Sequence, residues 1–394
     1  MLSFLRLKHN FTLDFFSKGS IYPIYNEVYN KTSGQCFSNK VSVFPNPKNK
    51  IYVVNNIPPY FDLKINTEKV PYDYYKTNYL KGFLVNLDGY DSIAEYLKNQ
   101  LGSKSRSKMR AYLKRLETCF SIRYRMFHGT ITKKEYDFLF NQFLIMIKRR
   151  FSQRKETHEA LKDWEYIRET TYSRIIKKEA SLFVIYDGDK PIDICLNYHH
   201  QNIFNNSIRS YDIDYNKFRL GHIDILKQLE WCMENEYTVF DLSYGDLDYK
   251  RKWCNTVYEF TQHVLFPKDL VQKRVLAFLV IQLINLKAFL KNKKVDILFQ
   301  KIRAILKRKP VKAIESYEPS LEIIQIPEGL LLEERVKIDI NKEEYAFLRK
   351  KVYDFQYIER VHSENISVHR PIDRNDTFIV LYDNDGIAII NQKK

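Results

Sequence analysis

Apolar residues along this chain alternate between a two-residue and a three-to-four-residue period, and each change of period predicts a new element. Residues 1–80 read as short strands and loops, broken by Pro45-Asn46-Pro47 and Pro58-Pro59. Lys81 to Leu87 predicts a strand, and Asp91 opens a short helix with Ile93, Ala94 and Leu97 on one face. Gly102 interrupts it, and Ser103 is placed to N-cap a second helix whose stripe is Met109, Tyr112, Leu113 and Leu116. Ser121 to Phe127 predicts a strand. Thr132 to Arg150 predicts a helix that turns Tyr136, Leu139, Phe140, Phe143 and Ile147 inward. Past the polar stretch Ser152 to Glu159, Leu161 to Lys177 is helical. Strands Leu182 to Tyr186 and Ile192 to Tyr198 flank the turn Asp187-Gly188-Asp189-Lys190-Pro191, and an Asn205-Asn206 turn precedes the next strand.

From Tyr211 to Trp253 the order is strand, turn, helix, strand, helix. Ser207 to Tyr215 is β-like and Asn216 to Leu220 breaks the pattern. Gly221 precedes a helix with Ile223, Leu226, Leu229 and Met233 on one face, and Tyr237 to Leu242 is a short strand. Ser243 to Asp248 is a loop in which Asp246 or Asp248 can N-cap the helix carrying Tyr249, Lys250 and Trp253. A strand feeding a helix N-terminus makes a phosphate site from backbone N–H groups. After Pro267 come two helices, about Val271 to Leu290 and Val295 to Lys307. A mixed tail follows: Leu321 to Ile326, Val336 to Ile340, a helix near Lys342 to Val352, and a hairpin around Asp383-Asn384-Asp385-Gly386.

With 394 residues, 44% hydrophobic, and only 11 Gly and 12 Pro, the chain is a packed globular protein of two or three domains. The 29 Tyr and 26 Phe read as core and strand aromatics. Its net charge of +16 is concentrated in two places. Residues 103–125 hold eight Lys/Arg against Glu117, and residues 271–312 hold twelve against Asp296, which leaves the remainder near neutral. Such patches point to anionic partners: CoA phosphates, tRNA, nucleotide sugars or an acidic membrane. Five scattered cysteines exclude a disulfide framework or zinc site and suggest a reducing, cytoplasmic compartment. The first nine residues are too short an apolar run for a signal peptide, and the longest run, Val275 to Leu286, is too short to span a bilayer. His199-His200 lacks a third ligand at metal spacing and reads as a strand-edge pair, so no metal is expected.

Tyr215, Gly221, a helix, a strand ending in Asp241, and then Gly245-Asp246-x-x-Tyr249-Lys250-x-x-Trp253 form a pattern that resembles the GNAT acyltransferase superfamily. Within it, the pattern resembles the branch of CelD/BcsL polysaccharide-biosynthesis proteins and FemAB-type peptide-bridge transferases. The stretch Arg106 to Glu117 resembles the basic helix these proteins carry upstream, and the likeness covers roughly residues 80–267. It implies an α/β (α+β) GNAT fold of two tandem lobes: a degenerate N-terminal lobe at 1–155 and a catalytic lobe at 156–270. Basic amphipathic helices at 271–312 and a small α/β extension at 313–394 would follow.

The same resemblance implies N-acyl transfer from acyl-CoA, acetyl-CoA foremost, to an amine such as an amino sugar of surface polysaccharide. A FemAB-like aminoacyl transferase, with the Ser103 helix on tRNA, or a non-catalytic adaptor are the alternatives. Phosphates would sit at the turn before Gly221, with Arg219 and His222 beside it, and backbone around Tyr211 to Asp214 would meet the thioester. Lys217 to Ile223 departs from the usual Arg/Gln-x-x-Gly-x-Gly/Ala signature. Lys250 would stabilise an oxyanion or clamp an anion, Tyr249 would protonate the leaving group, and Asp241 and Asp246 would act as base or recognise the amine. The 271–312 helices would dock on an anionic membrane at its inner face.

Overall fold

The computed structural model describes residues 6–38, 50–65, 71–292, 320–327, 330–382 and 385–392. The strands are β1 (Arg6–Asn10), β2 (Tyr25–Asn30), β3 (Gln35–Ser38), β4 (Ile51–Ile57), β5 (Phe61–Ile65), β6 (Tyr72–Asn86), β7 (Ile122–Phe127), β8 (Ala180–Asp187), β9 (Lys190–His200), β10 (Ile203–Tyr211), β11 (Val239–Tyr244) and β12 (Thr256–Pro267). The helices among and after them are α1 (Ile93–Gln100), α2 (Ser103–Cys119), α3 (Lys133–Gln153), α4 (Trp164–Ile176), α5 (Leu220–Glu234), α6 (Asp248–Trp253) and α7 (Val271–Asn292).

Among the described residues the main sheet has nine strands in the order β1-β4-β12-β6-β11-β10-β9-β8-β7. It draws strands from both sides of residue 155: β7 pairs with β8, and β6 lies between β11 and β12. A small β3-β2-β5 sheet packs at its N-terminal end. β8 and β9 are buried along almost their whole length because both faces are covered. Leu182 and Val184 meet α3 and α4, while the intervening Phe183 and Ile185 meet α2 and α5, as strand alternation requires.

The tail forms a second sheet, β13 (Ser320–Ile324), β14 (Arg335–Ile338), β15 (Ile366–Pro371), β16 (Thr377–Tyr382) and β17 (Asp385–Gln392), in the order β13-β17-β16-β15-β14. Helix α8 (Ala346–Glu359) carries Leu348, Val352, Tyr353 and Phe355 into one core with Phe120, Tyr215 and Phe218.

The five residues expected to face inward from α3 are all buried. Other expectations need correction. Asn205 and Asn206 lie inside β10 rather than in a turn. The chain reverses at Gln201 (φ 53°), and Asn206 Nδ2 bonds Asn197 Oδ1 and Gln228 Oε1 at 2.8 and 3.2 Å. β10 stops at Tyr211 because the Asp212 carboxylate accepts from the Asp214 N–H at 3.1 Å and starts a 3₁₀ turn over Ile213–Phe218. The N-caps are Gly102 for α2 and Leu247 for α6, neither with a capping side chain, so Ser103 and Asp248 fall inside their helices and Asp246 lies before the cap. His199 and His200 sit on β9, in the interior of the sheet. The tail helix begins four residues later than expected. The helix expected at Val295 to Lys307 lies outside the described residues, as do Pro45 to Pro47.

Candidate active-site cleft

β10 and β11 run parallel but are joined only at Ile203↔Val239, Phe204↔Phe240 and Asn205↔Asp241. Beyond that point β10 stays with β9, through a bulge between Asn206 and Ile208, and β11 stays with β6. A cleft of about 700 Å³ opens in the divergence, against the start of α5. Tyr211, Arg219, Gly221, His222, Tyr249 and Lys250 all line it. The other three residues named in advance, Asp214, Asp241 and Asp246, do not.

The cleft is cationic. Arg150, Arg154, Arg209 and Arg219 line it, against the carboxylates of Glu159 and Asp248. Arg150 stacks on the Tyr211 ring, 4.3 Å from its centroid, and its buried Nε has no partner among the described residues. Arg209 is paired with the buried Asp224, reaches the Gly221 carbonyl at 2.5 Å, and stacks over Tyr249 at 5.2 Å. A Cβ on Gly221 would stand 3.4 Å from the Arg209 guanidinium and 3.6 Å from the Tyr211 ring, an ordinary contact distance. Arg219, exposed, opens α5 in the left-handed region (φ 60°).

His222 accepts the indole N–H of Trp253 on Nδ1 at 2.9 Å. Burial, with Lys252 nearby, lowers its pKa to about 4, so the ring is neutral and carries its proton on Nε2. Lys250 is buried and gives its three protons to the carbonyls of Leu242 (2.6 Å), Ser243 (3.4 Å) and Tyr244 (2.5 Å). Desolvation lowers its pKa to about 8, against the pull of Asp241. It therefore acts as a staple on the bulged end of β11, where Ser243 (φ 60°) and Gly245 (φ 104°) are left-handed.

Asp241 lies beneath the cleft floor, fully buried. It accepts from Tyr60 Oη (2.6 Å), Tyr258 Oη (2.9 Å) and the Ser243 N–H (2.6 Å). Desolvation raises its pKa despite these bonds. A base placed here could not meet an amine in the cleft. Asp246 points to solvent and pairs with Arg251 at 2.6 Å. Asp214 is buried against Arg149, at 3.0 Å, and not against the cleft.

Sequence reading missed Arg150, Arg154, Tyr60 and Tyr258, which come from elements distant in the chain, and Arg209, which lies on β10 two residues before Tyr211. It also missed Asn205. This residue is the last one joined to β11, is buried, lines the cleft, and has an Nδ2 with no partner among the described residues. A buried, unpartnered amide costs free energy that a ligand acceptor would recover.

Asp193, Cys195 and Asp224 bring ligand atoms within 4.8 Å of one another. They suit a cation poorly, because Arg209 already occupies Asp224 and burial pushes the Cys195 thiol up. With four arginines, a helix start and a free amide, the cleft does fit the phosphates and thioester of an acyl-CoA.

Residues 103–251 match the family described as "Acetyltransferase (GNAT) domain". This segment is a GNAT-type acetyltransferase domain and makes the chain an enzyme of the acyltransferase class; the GNAT fold brings an acyl-CoA site with it. No curated protein matches the chain. Among solved structures, it is similar to FemX (11% identity, 54% of this chain and 71% of that chain, TM-score 0.39). It is also similar to a conserved protein of unknown function from Bacteroides thetaiotaomicron VPI-5482 (8%, 55% and 70%, 0.37). A third likeness is to a GCN5-related N-acetyltransferase from Sphaerobacter thermophilus (10%, 56% and 60%, 0.28). At these scores none of the three says anything of this chain's substrates.

Proposed function

We propose that this chain is an acyl-CoA-dependent N-acyltransferase. It transfers an acyl group, acetyl in our reading, to an amine, with an amino sugar of surface polysaccharide as the acceptor class. The observation that carries this reading is the divergence of β10 from β11 at Asn205 and Asp241, which opens an arginine-lined cleft with an unpartnered buried amide at its apex.

Arg150, Arg154 and Arg219 hold the donor's phosphates at the start of α5. Asn205 donates its free N–H to the thioester oxygen, where negative charge grows as the amine attacks. Glu159 lines the cleft and accepts from Tyr244 Oη at 3.2 Å. It takes the proton released as nitrogen bonds the acyl carbon, and Tyr249 returns one to the departing sulfur. Lys250 acts through the β11 loop that it holds, not on the reacting atoms.

The test is CoA release with acetyl-CoA and a panel of amines that includes glucosamine, alongside thermal shifts with acetyl-CoA. Arg219→Gly removes the guanidinium while relaxing the left-handed backbone, so it should keep or raise stability and weaken donor binding about tenfold. Asn205→Ala should lower kcat by about a hundredfold or more with a smaller change in KM. If acetyl-CoA neither shifts the melting temperature nor is consumed, the reading is wrong.

A second reading, aminoacyl transfer from tRNA, has its own observation: Lys104, Lys108, Arg110 and Lys114 of α2 stay exposed. Arg106 is used on the carbonyls of Leu101 and Lys98, and Arg115 on that of Tyr357. Steeply salt-dependent tRNA binding would favour this reading.

A further inference from the structure

The 3₁₀ turn over Ile213–Phe218 has two faces. Side chains three apart eclipse one another in such a turn. Asn216 and Arg219 are one such pair, and both line the cleft. Tyr215 and Phe218 are the other, fully buried in the core that the turn shares with the tail helix α8. The Tyr215 ring lies 4.5 Å from that of Tyr353, and the Phe218 ring meets that of Tyr357 edge-on at 5.1 Å. Lys217, next to Phe218, pairs with Asp354 at 3.8 Å. The tail helix therefore packs on the back of the turn whose front lines the cleft.

The two ends of this turn are held differently. Its start is tied to the main sheet and α3 by charge. Asp212 pairs with Arg149 and Lys190 at 2.9 and 2.8 Å, Asp214 pairs with Arg149 at 3.0 Å, and Tyr215 Oη donates to Asp187 at 2.8 Å. Its last residue, Phe218, is held by rings: Phe120 at 5.0 Å and Tyr357 of α8. Arg219 follows directly, in the left-handed region at φ 60°. A residue other than glycine keeps that conformation only where its surroundings over-determine it. Tyr357 is itself fixed by α2, since the Arg115 guanidinium stacks over its ring at 4.7 Å and donates to its carbonyl. We infer that α8 sets the donor site from behind. Tyr353 and Tyr357 are positioning residues that hold Arg219 at the donor phosphates through the turn, and Tyr357, which braces the Arg219 end, has the larger effect. Neither tyrosine lines the cleft. This role rests on the acyl-CoA reading of the cleft and gives a task to a tail that lies outside the matched segment 103–251.

The test uses the full chain and acetyl-CoA, with binding measured by calorimetry and turnover by initial rates. Tyr357→Ala should weaken acetyl-CoA binding and raise its KM about tenfold, as expected when one guanidinium leaves a phosphate, with kcat and the amine KM within about twofold of wild type. Tyr357→Phe keeps the ring and should bind the donor as the wild type does. In an Arg219→Gly background, Tyr357→Ala should change donor affinity by less than about twofold, because the residue it positions is gone. If circular dichroism shows that Tyr357→Ala does not fold, Tyr357→Leu supports the same comparison with an apolar group left against Phe218. Equal acetyl-CoA affinity in wild type and variant would overturn the role of α8 and leave the acyl-CoA reading standing. Losses that multiply in the double variant would do the same, since they mark a general structural defect. A wild type that binds no acetyl-CoA would overturn both.

Discussion

Trp253 donates its indole N–H to Nδ1 of His222 at 2.9 Å, tying the end of α6 to the first turn of α5. Trp253 is fully buried, and its carbonyl accepts from Tyr96 Oη, so α1 fixes the same corner. Trp253→Phe keeps most of the volume and removes the donor. A loss of about 1–2 kcal/mol in urea unfolding is expected. Donor affinity should also weaken, because His222 lines the cleft. The ring should titrate closer to its ordinary value in the variant and stay flat above pH 5 in the wild type, as read from its imidazole resonances.

The acid limb of the stability curve should begin early. Burial lowers His200 and His222 to about 4 and His263 to about 3, while the unfolded chain titrates near 6.5. The unfolded state therefore binds more protons between these values. Stability is full above pH 6.5, falls as pH drops toward 4 and then 3, and levels below that as far as these groups are concerned. Each unit of depression is worth about 1.4 kcal/mol. Urea midpoints at pH 8, 6.5, 5 and 4 check the window; a midpoint constant down to pH 4 would contradict it.

Lys250 should fail as a purely chemical residue. Lys250→Ala leaves the carbonyls of Leu242, Ser243 and Tyr244 without their donor, and a loss of about 2 kcal/mol or more is expected together with loss of activity. Its pKa of about 8, below the unfolded value near 10.4, fixes the sign of a second effect. Between these values stability rises with pH as desolvation of the ammonium is relieved. Donor binding should fall over the same range, because the neutral amine has only two protons for three carbonyls. Parallel denaturation and binding series from pH 7 to 10 test whether the two trends oppose each other.

The floor of the cleft depends on a glycine far from it in the chain. A Cβ on Gly82 of β6 would fall on the ring of Tyr258, the residue that hydrogen-bonds Asp241. Gly82→Ala should cost about 2–3 kcal/mol, by displacing the ring and stripping a donor from a buried carboxylate. In a Tyr258→Ala background the same change should cost much less. A double-mutant cycle measures the difference, and simple additivity would refute the coupling.

How much of this was legible depends on how local its cause is. The stripe of α3 is readable because helical burial follows spacing alone, and Gly245 to Trp253 is readable as a loop entering a helix. Six of the nine residues named for the site do line one cleft, since strand, turn and helix bring neighbours in sequence together. Asp241 illustrates the limit. Its place at a strand end suggests chemistry, but its partners Tyr60, just before β5, and Tyr258, from β12, turn it into a buried support. Asn205 next to Asn206 reads as a turn by composition. Only the pairing of β10 with β9 and β11 shows that both amides point into sheet and cleft environments.

β6 (residues 72–86) closes β11 along Val239–Tyr244, and β12 covers the other side of β6. Excision of residues 103–251 would remove both strands. The fragment would end in a raw β11 edge, with Asp241 deprived of its tyrosines, and would pair with its own copies and precipitate. A fragment meant to stay soluble and keep the cleft must start before β1 and extend through Pro267, which makes the long N-terminal stretch part of the catalytic unit rather than an appendage to it.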